Sequence, residues 1–182
     1  MKFLETDIKD CWVIEWDVYV DYRGHFGVSF NHHEFLFKTK IDTRFIQDNE
    51  SFSHKNVIRG LHFQNGDFEQ AKLVRCPIGQ VIDVIYDMRK DSPTYNKIVK
   101  IPLGGEYRER SVFVPRGCAH GFSVKETALL QYKVDNLYNK DQEGGIRYDD
   151  PELNIDWGVK GEPIVSPKDL ELPFLQDLDI YN

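Results

Sequence analysis

Apolar and polar positions alternate in short runs along most of this chain, the period of strands with one buried face. CWVIEWDVYV at 11–20 is aromatic and β-branched and predicts a strand. DYRG at 21–24 predicts a turn, and HFGVSFN at 25–31 predicts the second arm of a hairpin. Further strands are expected at 43–47, 57–63, 71–77, 79–88, 96–103, 110–114, 121–124 and 128–136, with Gly, Pro, Asn and Asp punctuating the gaps. Glu34 to Lys40 reads as a short helix or an extended connector. Ser166-Pro167-Lys168-Asp169-Leu170 has an N-cap serine followed by proline, the start signal of a short C-terminal helix. The segment from Asp149 onward lacks a strand pattern. It still carries Trp157, Ile164, Leu170, Leu172, Phe174 and Leu175, which predicts that it packs back on the rest. Many short strands with turn signals between them define a mostly β antiparallel sandwich or small barrel, expected as one domain over 1–182.

The net charge of −7 excludes the basic face that a nucleic-acid partner requires, so any phosphate must be met by a few local Arg and Lys residues. No apolar run approaches the roughly 20 residues of a membrane span, and MKFLETDIKD has no signal-peptide core. A cytoplasmic protein without membrane partners is the expectation. Cys11, Cys76 and Cys118 lack metal-ligand spacing and read as reduced buried thiols.

Chemistry concentrates between Gln47 and Lys72, where Gln47, Asn49, Ser51, Ser53, Arg59, His62, Gln64 and Lys72 place polar groups in two predicted strands. On a period of two, Ile58, Gly60, His62 and Gln64 share one face, and Arg59, Leu61 and Phe63 the other. An imidazole accepts a proton near neutral pH, so His62 is the natural base, with Asp83 or Asp169 to orient its other nitrogen. Lys72 can meet a developing oxyanion, and a phenol such as Tyr132 can return a proton from the opposite side. These parts suit proton abstraction next to a carbonyl.

A metal site is the competing use of the same residues. Pro115-x-Gly117-x-x-His120 resembles the second signature of the cupin barrels. Metal-binding cupins carry H-x-H and a Glu in the first signature, whereas this chain has His62-Phe63-Gln64 and a nearby cationic Lys72. Two imidazoles without a carboxylate make a poor first-row metal site, so no metal is expected.

The segments DYRGHF (21–26), Gln47-x-Asn49-x-Ser51, RGLHFQ (59–64), AKLVRCPIGQVIDVIYDMRKDSPTY (71–95), VPRGCAHGF (114–122), QYK (131–133), EGGIRYDDP (143–151), IDW (155–157) and SPKD (166–169) run in order through the chain. With them the chain resembles the dTDP-4-dehydrorhamnose 3,5-epimerase family. The resemblance implies a double-stranded β-helix (cupin/jelly-roll) barrel that inverts two centres of a nucleotide-linked 4-keto-6-deoxy sugar, with no cofactor. It implies His62 as base paired with Asp169, Tyr132 as acid, and Lys72 as stabiliser of the enolate. Arg59 and Gln47 would hold the diphosphate, Asn49, His120 and Glu143 the sugar, and Tyr138 the base, with Ser51 also among the substrate-binding residues. Arg23 and Phe26 would reach the neighbouring subunit's site in a homodimer with exchanged N-terminal strands. One position departs from the pattern: Val28 stands where the family has a Glu associated with recognising thymine, which leaves the nucleotide open between dTDP and GDP, with GDP-linked 4-keto hexoses or heptoses as the alternative substrates. A single-centre epimerase, a 3,4-ketoisomerase, a metal-dependent cupin and a non-catalytic binding module are the remaining alternatives.

Overall fold

Two long strands organise the computed structural model, which describes residues 1–178. In chain order the elements are β1 (Lys2–Glu5), β2 (Trp12–Glu15), β3 (Val18–Asp21), β4 (Gly24–Gly27), α1 (His32–Thr39), β5 (Gln47–Ser53), β6 (Ile58–Gln64), β7 (Lys72–Asp87), β8 (Ile98–Gly104), β9 (Arg110–Val114), β10 (Cys118–Val134), β11 (Glu143–Gly145) and α2 (Pro167–Leu170). β7 and β10 pair antiparallel from Lys72↔Val134 to Cys118↔Asp87. Half of this ribbon extends through β9, β2 and β1 on one side and β5 on the other. The other half extends through β8 on one side and β6 and β11 on the other. Two sheets that share their central strands make the jelly-roll barrel of the cupins, as expected.

The predicted strands 71–77 and 79–88 are one strand, as are 121–124 and 128–136. The Pro77-Ile78-Gly79 signal is a bend rather than a reversal. Gly79 has φ +76°, and a Cβ there would lie 2.7 Å from the Ala128 Cα, so only glycine lets the two strands cross so closely. Register shifts in β10 between Val124 and Gln131 take up the same bend.

Run 11–20 is broken at Trp16-Asp17 into β2 and β3, and the hairpin is β3–β4. Residues 43–46 are not in a strand. β5 starts at Gln47 and runs through polar residues, because its pairing with β10 rather than an apolar face defines it. α1 is a helix, capped by Asn31 accepting the Glu34 N–H at 3.0 Å and ended by Lys40 in the left-handed region.

The barrel interior is filled by Val74, Cys76, Val81, Ile85, Ile101, Leu103, Val112, Val114, Phe122, Val124 and Leu130. All three cysteines are buried and free. Burial pushes the Cys11 and Cys76 thiols up, to about 12 and about 11. α1 covers the outside of the first sheet with Phe35 on Ile14, Leu73 and Phe113, a burial that contributes about 2 kcal/mol for the phenyl ring alone. The outside of the second sheet carries Leu61, Phe63, Val84 and Tyr86, and the C-terminal segment covers it with Trp157, Ile155 and Leu175. Ile164 and Leu170, also expected to pack there, stay exposed. Ile164 docks through its backbone, which accepts the Ile58 N–H and donates to Asn56. No helix among the described residues is long and apolar enough to cross a membrane.

Candidate active site

β6 does not keep a period of two. Against β10 the pairs are His120↔His62 and then Phe122↔Arg59, so three steps on β6 face two on β10. The extra residue is a bulge at Gly60-Leu61. Gly60 has φ +102°, and a Cβ there would stand 2.7 Å from both the Gly121 Cα and the His120 carbonyl oxygen. The bulge corrects the alternation expected above. Arg59 joins His62 on the barrel-interior side, while Ile58, Leu61 and Phe63 share the outer cluster.

The choice between Asp83 and Asp169 is settled by α2. Ser166 Oγ accepts the Asp169 N–H at 3.1 Å, which fixes the first turn. Asp169 then receives His62 Nε2 on Oδ1 at 2.8 Å and the Gly60 N–H on Oδ2 at 3.1 Å. Burial alone would raise this carboxyl, but the His62 hydrogen bond and charge and the Gly60 N–H hold it below the usual carboxylate range. Asp83 pairs instead with His120, whose Nε2 lies 2.8 Å and 3.0 Å from its two oxygens.

His62 opens on a cavity of about 330 Å³ lined also by Gln47, Asn49, Phe63, Gln64, Gln70, Lys72, Tyr132, Tyr138 and Glu143. Lys72 starts β7 and Tyr132 lies on β10, so the register of the central ribbon brings them to one mouth. Burial pulls the Lys72 ammonium down to about 8, partly offset by the charges of Asp83 and Glu143. Burial also raises the Tyr132 phenol, with the nearby Arg59 charge opposing it. The Glu143 carboxylate accepts the Tyr138 O–H at 2.7 Å and Lys168 Nζ at 2.5 Å.

Several expected residues sit elsewhere. His120 does not line the cavity: it is 7% exposed, directly opposite His62 in the ladder, and its Nε2 is taken by Asp83. Arg59 stands on the same inner side, with Nε donated to Ser53 Oγ at 3.0 Å. Ser51 Oγ is buried there without a partner among the described residues. Arg23 and Phe26 are on the exposed β3–β4 hairpin, where Arg23 pairs with Asp21, and they do not join this cavity within one chain. Sequence reading missed Lys168, although it directly precedes Asp169, and it singled out Gln64 and Gln70 for no role in the site.

A cupin barrel whose mouth gathers an imidazole–carboxylate pair, an ammonium and a phenol defines a nucleotide-sugar epimerase of the isomerase class. The family model described as dTDP-4-dehydrorhamnose 3,5-epimerase matches residues 5–177, and the chain belongs to that family. It is 42% identical over 182 residues to dTDP-4-dehydrorhamnose 3,5-epimerase of Shigella flexneri, covering 100% of this chain and 99% of that one. Among solved structures, it is 44% identical to dTDP-4-dehydrorhamnose 3,5-epimerase from Elizabethkingia anophelis NUHP1, with a TM-score of 0.92 over 97% of each chain. A dTDP-6-deoxy-D-glucose-3,5-epimerase from Legionella pneumophila Philadelphia 1, solved with dTDP-4-keto-L-rhamnose, is 39% identical with a TM-score of 0.92, covering 98% of this chain and 94% of that one. The expectation of a GDP-linked substrate, built on Val28, is overturned: family and relatives are named for dTDP sugars. Val28 lies exposed at the end of the hairpin.

Proposed function

We propose that this chain epimerises a dTDP-linked 4-keto-6-deoxy sugar at C3 and C5 of the hexose ring. The carrying observation is that His62, bonded to Asp169, shares one cavity with Lys72 and Tyr132. The C4 ketone acidifies the protons on both neighbouring carbons. His62, oriented through Nε2 by Asp169, takes such a proton on Nδ1, and the Lys72 ammonium meets the enolate oxygen that forms. Tyr132 delivers a proton to the opposite face of the same carbon, which inverts it, and the cycle repeats at the second carbon. Each inversion removes one carbon-bound proton and returns one, so it is redox-neutral. Arg59 and Gln47 hold the diphosphate, Asn49, Ser51 and Glu143 surround the sugar, and Tyr138 stacks on the base. His120 stands beside His62 on the neighbouring strand.

The test is solvent deuterium wash-in followed by NMR on dTDP-4-keto-6-deoxyglucose. The expected result is label at both C3 and C5, lost in His62→Ala. Label at one position only supports a single-centre epimerase, and a carbonyl that moves to C3 supports a ketoisomerase. Either outcome overturns the reading.

The same reading includes a homodimer. Tyr19, Val20, Tyr22, Phe26 and Val28 leave the hairpin largely apolar and exposed, and Phe52 and Ile78 flank Leu129 on the open face of the first sheet. A second copy covers both features, places Arg23 and Phe26 in its neighbour's site, and exchanges N-terminal strands. Sedimentation at micromolar concentration is expected to give a dimer, and a monomer there sinks this part alone.

A further inference from the structure

We propose that Gln64 is a positioning residue that holds the Tyr138–Glu143 loop over the cavity, an inference resting on the epimerase reading above. β6 and β11 pair Glu143 directly with Gln64, so both side chains face the cavity. Gln64 is 8% exposed, and its Oε1 accepts the backbone N–H of Asn139 at 2.8 Å. Asn139 in turn accepts the Asp141 N–H at 2.9 Å through its own side chain, which sets the turn leading into Glu143.

Tyr138 immediately precedes Asn139. It is 54% exposed and donates its O–H to Glu143. The Tyr138 end of the loop therefore depends on where Asn139 sits, and the strand that carries His62 fixes Asn139 through one amide oxygen. Further hydrogen bonds hold the loop's flanks, from the Asn65 N–H to the Gln142 carbonyl at 2.8 Å, from Gln70 Nε2 to the Asn136 carbonyl at 2.9 Å and from Asn136 Nδ2 to the Asp67 carbonyl at 2.7 Å among them. These end at Asn136 and Gln142 and do not reach the Tyr138–Asn139 step.

A methionine at 64 fills the volume and leaves the Asn139 N–H without its acceptor. The residues displaced are assigned to the sugar and the base, not to the reacting carbons. Loss of Gln64 is therefore read in KM, while kcat is kept by His62, Lys72 and Tyr132.

The experiment is steady-state kinetics of wild type, Gln64→Met, Tyr138→Ala and the double variant on dTDP-4-keto-6-deoxyglucose. Gln64→Met is expected to raise KM about tenfold with kcat within about twofold, the scale of one lost hydrogen bond. The double variant is expected to match Tyr138→Ala, because Gln64 acts through the loop that Tyr138 belongs to. A fall in kcat at unchanged KM, an unchanged KM, or fully additive effects would each overturn the inference. Backbone hydrogen exchange of the wild type supplies a second reading that needs no variant to fold. A protected Asn139 amide is expected, and one that exchanges freely in the folded protein removes the basis of the proposal. Wild-type turnover in the same assay reports on the epimerase reading separately.

Discussion

Two histidine–aspartate pairs lie side by side in this barrel, their histidines opposite one another in the β6–β10 ladder, and they differ in access rather than in chemistry. In both, an imidazole Nε2 meets a carboxylate oxygen at 2.8 Å. The His62 side chain is 31% exposed and opens on the cavity, whereas the His120 side chain is 8% exposed above an Asp83 with none of its surface exposed. Asp169 arrives from α2, at the far end of the chain, and Asp83 from the centre of β7. An imidazole that meets substrate on one nitrogen and a fixed carboxylate on the other can cycle protons. One sealed against its carboxylate has far less access to a carbon acid.

Truncating the two histidines separates these roles. His62→Ala is expected to lower kcat/KM on the dTDP-4-keto sugar by roughly 10³- to 10⁴-fold, the scale of a lost general base, with a smaller loss of stability than His120→Ala because Asp169 keeps the Gly60 N–H. His120→Ala is expected to do the reverse. It leaves the Asp83 carboxylate buried without its partner, and removing one member of such a pair costs on the order of 3 kcal/mol of folding stability. Turnover per folded molecule should stay within about tenfold of wild type. Denaturant unfolding and active-site-normalised kinetics on the two variants check this. A His120→Ala protein as stable as wild type but inactive would make the pairs equivalent and break the contrast.

How much of this contrast was legible in the sequence follows from what each feature depends on. His62, Lys72 and Tyr132 are visible because each is a chemically distinctive residue in a β-patterned context that resembles a known family. Alternation also suffices to give strands at 57–63 and 110–114, since both have one apolar face. It fails where a glycine alters the phase. The bulge at Gly60 moves Arg59 onto the face of His62, and Gly79 turns an apparent loop into the middle of a strand. β5 fails for the opposite reason: its inner face is the site and its outer face is charged, so it has no apolar stripe to read. The partner of His62 was undecidable from spacing, because Asp83 and Asp169 differ only in which strand or helix brings them in. The burial of His120 was not legible either, because a histidine near the cavity looks the same in sequence whether it is open or sealed.

The sealed pair also bears on the reacting face through Lys72, and this gives the smallest effect to measure. Burial brings the Lys72 ammonium down to about 8, and the Asp83 charge is the strongest influence holding it up. In the proposed mechanism the charged form stabilises the enolate, so the contribution of Lys72 is complete below about pH 8 and is lost as pH rises through that value. In the kcat/KM profile, which reports the free enzyme, an alkaline limb is expected near pH 8, with activity down about tenfold one unit above it. The stability sign runs the other way. The folded value lies below the ordinary lysine value of 10.5, so the unfolded chain binds the proton more tightly. Burial of Lys72 therefore costs stability in full below about pH 8, and that cost disappears as pH rises to 10.5. Lys72→Met is accordingly expected to remove the alkaline limb along with most of the activity while raising the thermal midpoint at neutral pH. Asp83→Asn should move the limb to lower pH, by withdrawing a negative charge that favours the ammonium. A limb that stays in place in Asp83→Asn would show that the buried pair and the cavity are electrostatically independent.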